Sequence, residues 1–225
     1  MFKNMLTSAL FAGFVAGLIA AALQIYFIVP VLLEAELYET GQLRHFGEGG
    51  FAAQTFEIQQ DWARNGMTIL STAAIYIGFA LLLIAGIVYA ETRGLVTTPK
   101  SGLLWGLAGF AALQLMPSLG LPPELPGMIS AELAPRQIWW LATAVCTLVA
   151  IWSFVFSNDW RFWVGGLIIL LIPHLIGAPH PAVFGGTVPP ELAADFVGLS
   201  HGVGAISWGI LGILCAVFWI AENRR

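Results

Sequence analysis

Six apolar stretches dominate the chain, at about 5–29, 67–90, 102–119, 137–156, 162–177 and 196–220. A helix rises about 1.5 Å per residue, so roughly 20 apolar residues cross a hydrocarbon layer about 30 Å thick. None of the six alternates with a sustained period of two, which argues against a transmembrane barrel. The first follows Lys3 and runs uncharged from Met5 to Leu33, well beyond the 7–15 residues of a signal-peptide core, and is read as a span. The sequence therefore predicts an all-α polytopic membrane protein. It forms one integral membrane domain over residues 1–225, with six transmembrane helices and a polar loop at 34–63. Only 10% of residues are charged, against about 25% in a soluble domain. The mean hydropathy of +0.83 agrees.

The same scarcity of charge excludes several functions. Nine basic residues with no polybasic run leave no nucleic-acid surface, and so much apolar sequence cannot stay disordered. The two cysteines, Cys146 and Cys215, sit mid-span and read as small core residues, not a disulfide scaffold. No HExxH, CxxC or Walker pattern occurs, and the chain is read as a non-enzyme.

Six spans return both termini to one side. The termini and even-numbered loops hold Lys3, Arg93, Lys100, Arg161, Arg224 and Arg225, whereas the other loops hold Arg44, Arg64 and Arg136. The positive-inside rule then predicts cytoplasmic termini and an outer side carrying the first, third and fifth loops. Ten of the thirteen acids lie on that outer side, with eleven of the twelve prolines and all four histidines on or near it. Longer outer loops account for many of the acids but less well for prolines and histidines at helix ends.

The chain also repeats itself. Ala21-Ala22-Leu23-Gln24 recurs as Ala111-Ala112-Leu113-Gln114, each soon followed by a proline, Pro30 or Pro117. Pro-Pro-Glu-Leu occurs at 122–125 and at 189–192, and Pro117 and Pro173 interrupt the short third and fifth spans alike. These matches suggest three repeated helical hairpins, an organisation in which interrupted spans point to a substrate site. Prolines that simply end helices are the alternative. Ala9, Gly13, Gly17 and Ala21, with Gly102–Gly106 and Gly198–Gly202, mark faces where helices approach closely.

Candidate ligands gather where spans leave the membrane. Pro173-His174 and Pro179-His180-Pro181 place two imidazoles around Gly177, and His201 begins the last span. Glu34 and Glu36 follow Pro30, and Glu124 sits in an apolar, rigid Leu-Pro-Pro-Glu-Leu-Pro-Gly loop. Ionisable groups near membrane depth are costly and mark function. Imidazole with carboxylate suits cobalt(II), nickel(II) or zinc(II). Against this, an interfacial histidine is often only a hydrogen-bonded structural residue. His45, in the long polar loop, has the weakest case. Arg136, opening Arg136-Gln137-Ile138-Trp139-Trp140, reads as an interfacial anchor paired with Glu124 or Glu132.

Several of these motifs occur together in a known family. The Val29-Pro30 … Glu34-Ala35-Glu36 exit, Trp105-Gly106-Leu107-Ala108-Gly109-Phe110, the loop Leu121–Gly127, Arg136–Trp140 and Pro173-His174 … Gly177-Ala178-Pro179 span most of the chain. In these the protein resembles the CbtA family, small bacterial membrane proteins predicted to be cobalt transporter subunits. The resemblance implies cobalt uptake linked to cobalamin synthesis and a one-span partner, CbtB, with a histidine-bearing terminus. It carries over Glu34, Glu124, Arg136 and His174; His201 and His45 fall outside its pattern.

The resulting expectation is an inner-membrane subunit, possible also as a homo-oligomer, that binds a divalent metal at its outer face and passes it inward. His174, Glu124, Glu34, His180, Glu36 and His201 are its candidate ligands. The membrane potential alone favours inward movement of a dication by about 4.6 kcal/mol per 100 mV. Two other readings stay open: a non-transporting assembly or metal-handover subunit, and a bis-histidine haem protein using His174 and His201.

Overall fold

The computed structural model describes residues 1–44 and 61–223. His45, Glu48, Glu57, Arg224 and Arg225 lie outside the described residues. Six helices make up almost everything described: α1 (Phe2–Glu39), α2 (Trp62–Thr92), α3 (99–118), α4 (Leu133–Phe156), α5 (Trp160–Ile176) and α6 (Pro190–Asn223). Each contains one of the six apolar stretches. Of these, α1, α2, α4 and α6 are long and apolar enough to cross a membrane. Among the described residues there is no strand, only an isolated antiparallel bridge between Met128 and Gly186.

The turns at one end are short and firmly capped. Thr98 and Ser101 form a reciprocal capping box ahead of α3, with Pro99 where its missing N–H costs nothing. Asp159 caps α5 by accepting from the Arg161 amide at 3.0 Å. At that same end the Asn4 amide donates to the Glu222 carbonyl at 3.2 Å, and Trp219 Nε1 donates to Glu91 at 3.0 Å. Both termini therefore meet there. The first, third and fifth connections occupy the opposite end, which the charge distribution predicts to be the outer one.

Helices α1, α2, α3 and α6 form the core, and small residues decide how closely they pack. Without side chains to separate them, Gly13 and Gly17 bring α1 against the α2 backbone: a Cβ at Gly13 would lie 2.4 Å from Ile77 Cα. The crossing of α3 with α6 is tighter still, since a Cβ on Gly106 would stand 2.1 Å from the Trp208 carbonyl oxygen. The expected small faces on α1 and α3 are thus real contacts. Gly198 and Gly202 are not: they are exposed, with nothing within 4 Å of an added Cβ. Gly204 and Gly212 carry the α6 side instead, because they lie on the helical face turned to α3.

The closest helix partners are α1 with α2, α3 with α6, α1 with α6, and α4 with α5. Consecutive pairing therefore holds for α1–α2, while α3 and α6 embrace each other and α4–α5 forms a hairpin at the side. That hairpin meets the core at both ends, through the α3 terminus outside and a Tyr89–Phe156 ring contact inside.

Proline shapes two of the core helices. Residues 24–28 of α1 and 111–115 of α3 are each wound one residue wider than an α-turn, with the Val29 amide donating to the Gln24 carbonyl and the Met116 amide to the Ala111 carbonyl. Both wide turns end two residues before a proline, Pro30 or Pro117. A proline inside a helix cannot donate and crowds the carbonyl four residues back, and a wider turn moves that carbonyl away. The structural equivalence runs through these prolines, which are 87 positions apart, whereas the matching Ala-Ala-Leu-Gln segments are 90 apart.

Candidate functional site at the outer ends of the helices

Two proline-rich loops close the outer end over a small apolar cluster. Leu125, from the first Pro-Pro-Glu-Leu, is buried with Ala35 of α1 and Phe196 of α6. Leu192, the matching leucine of the second, packs on the same cluster. The two copies of this motif therefore serve one cap. Gly127 turns the first loop with φ of +82°, where its missing side chain also leaves room for Thr187. A cavity of about 790 Å³ opens beneath, lined among others by Glu124, Arg44, His180 and Phe184.

Glu124 stands half-buried in that wall. Its Oε2 accepts from Arg136 at 2.6 Å and from the Ser130 hydroxyl at 2.5 Å. Arg136 is thus the partner of Glu124, one of the two carboxylates its position suggested. A short, charge-assisted pair of this kind fixes the loop to the start of α4. Glu124 is consequently anchored, and it could take a cation only through its other oxygen or by releasing Arg136.

His174 is arranged differently. Pro173 lies in the last turn of α5, and its carbonyl accepts from Trp139 Nε1 at 3.0 Å. The Trp139 indole also meets the His174 ring edge to face, centroids 5.7 Å apart. This wedge turns His174 toward α4 and away from the loop that follows Gly177. Its Nε2 is sealed from solvent and has no hydrogen-bond partner among the described residues. Buried polar atoms are nearly always satisfied, and among the described residues the Ser8 and Ser207 hydroxyls share this unpaired state. Glu124 and His174, both candidate ligands, do not line one pocket. The cavity instead collects Glu124 with His180, an exposed ring 5.7 Å from Phe184, while His174 is not among its lining residues.

Both nitrogens of His201 are occupied. Nδ1 lies 2.7 Å from the Val197 carbonyl oxygen and Nε2 2.6 Å from the Ser118 hydroxyl. One turn away, the Gln114 amide donates to the Ser200 carbonyl at 2.9 Å. These bonds clasp the proline-broken end of α3 to α6. The segment Gly198-Leu199-Ser200-His201-Gly202 has the spacing of a nucleophile elbow, but it lies inside α6 and lacks the strand-to-helix turn such an elbow requires.

The acids leaving α1 are more open. Glu34 is exposed, and Glu36 meets Arg64 at 3.4 Å with each side chain more than 40% accessible. Among the described residues no three His, Cys, Asp or Glu side chains come together as a metal-holding group. Sequence reasoning gave no role to Ser118 and Gln114, and read Trp139 only as part of an interfacial anchor segment.

Fold and outer end together define a polytopic helical membrane protein with imidazole and carboxylate donors set at proline-modified helix ends. The chain belongs to the CbtA family, whose description, probable cobalt transporter subunit, matches it over residues 2–220. That is a family of transporter subunits, not of enzymes, and the word subunit implies partner proteins. No curated protein and no solved structure matches the chain.

Proposed function

We propose that this protein takes up cobalt(II) across the bacterial inner membrane for cobalamin synthesis, with both termini cytoplasmic and the capped end outside. Cobalt, rather than nickel or zinc, is the cargo because the family is described by it. The observation that carries the reading is the sealed, unpartnered Nε2 of His174. Neutral imidazole is a good donor for cobalt(II), and the indole wedge of Trp139 holds the ring in place. The exposed carboxylate of Glu34 and the partly open one of Glu36 would draw cations toward this end.

A single fixed imidazole is a partial coordination shell, so further donors come from a partner. CbtB, a small one-span subunit with a histidine-bearing terminus, is the partner proposed. The same incompleteness favours one variant of this reading, a handover subunit that relays the ion but supports no flux alone. Radioactive cobalt uptake into proteoliposomes, with and without CbtB, tests both. Flux that needs both proteins and falls with His174→Ala supports the proposal. Undiminished flux in His174→Ala excludes His174 as a ligand.

A further inference from the structure

The crossing of α1 and α2 is closest at Gly13 and Gly17, and beyond it longer side chains bridge the two helices, as the Thr72 hydroxyl does to Gln24 at 3.3 Å. The outer halves enclose a crevice of about 650 Å³. Leu18, Ala22, Ile25 and Val29 of α1 wall its depth, facing Ile69 of α2. At its mouth stand Asp61, Arg64 and Asn65 from the first turn of α2. From Leu18 to Leu33 the helix climbs about 22 Å, so the crevice runs from mid-span to the outer surface.

Its polarity therefore changes along its length as that of an amphiphile does. The charges at the mouth carry a further restriction. Arg64 is the cation there, and its contact with Glu36 is long, at 3.4 Å, and open on both sides. Asp61 spends its Oδ1 on the Ala63 and Arg64 amides at the helix start. Among the described residues, one cation beside two carboxylates suits a headgroup bearing a phosphate and a primary ammonium, and disfavours one with net negative charge. Trp62, 76% exposed, stands beside the mouth as interfacial aromatic residues do, and Tyr26, 75% exposed, lines the wall next to Ile25.

We propose that this crevice binds a zwitterionic phospholipid. One acyl chain lies against Leu18, Ala22 and Ile25, the phosphate meets Arg64, and the ammonium meets Glu36. The site does not rest on the cobalt reading and involves none of the His174 surroundings. Full-length protein reconstituted into vesicles of equal phosphatidylethanolamine and phosphatidylglycerol, then extracted in mild detergent, reports the lipid it retains by mass spectrometry. The expected result is selective retention of phosphatidylethanolamine. Arg64→Gln should lower it about tenfold, as loss of a charge-assisted bond does. Ala22→Trp, which fills the crevice from an exposed position, should abolish it. Equal retention of the two lipids by the parent, or retention of phosphatidylethanolamine unchanged in Arg64→Gln, overturns the proposal whatever the Ala22 variant does.

Discussion

The inner and outer halves of the four-helix core are built on opposite plans. In the inner half, backbones touch across glycines and alanines, and Ile84, Ile87 and Leu211 are fully buried between them. In the outer half, wide turns precede Pro30 and Pro117, polar contacts such as Gln114 to Ser200 join a small apolar cluster around Ala35, Leu125 and Phe196, and two cavities open. Close van der Waals packing is what holds helices together in lipid, where no hydrophobic drive separates side chain from solvent. The inner half thus supplies the stability, and the outer half can hold strained turns, anchored charges and an unsatisfied imidazole.

The contrast is broken most severely by adding bulk to the inner half. Gly106→Val would drive a methyl group into the Trp208 carbonyl and should cost about 3 kcal/mol or more, seen as loss of monodisperse protein on size exclusion. Gly198→Val, on an exposed face of the same packed pair, should behave as the parent does. Next in size is His174→Ala, which should reduce cobalt uptake roughly tenfold or more while the protein inserts normally. Glu124→Gln removes the ion pair that ties the cap to α4. About 1 kcal/mol should be lost, and a double-mutant cycle with Arg136→Gln should show most of it to be shared. The smallest effect falls on the wide turn of α1. Gln24→Leu gives up the 3.3 Å bond from the Thr72 hydroxyl, worth about 0.6 kcal/mol in denaturant titration.

Hydropathy alone placed the six helices, because lipid imposes one periodicity-free signal of length and composition on each span, although the first helix runs to Glu39, into the loop expected from residue 34. Small-residue spacing found the packing faces of α1 and α3, where the pattern is strict. It misassigned α6, whose many glycines satisfy several spacings while only one face meets α3. The Arg136–Glu124 pair was legible too, since a rigid acidic loop and a basic helix start lay close in sequence. The Trp139–Pro173 bond and the Ser118–His201 clasp were not, because they join residues 34 and 83 positions apart and depend on which way each helix faces. The wide turns were half visible: proline predicted a disturbance in α3 and α5, whereas the turns occur in α1 and α3. Pro173, in the last turn of α5, has too little helix beyond it to need one.

The central claim is that the outer imidazole is a donor and not a structural residue. The most direct measurement is cobalt uptake by His174→Gln in proteoliposomes, at matched protein density, beside the parent and His174→Ala. Glutamine keeps hydrogen-bonding capacity but is a poor donor to cobalt(II). The account predicts that His174→Gln transports as little as His174→Ala. Uptake restored to the parent rate by glutamine would contradict it.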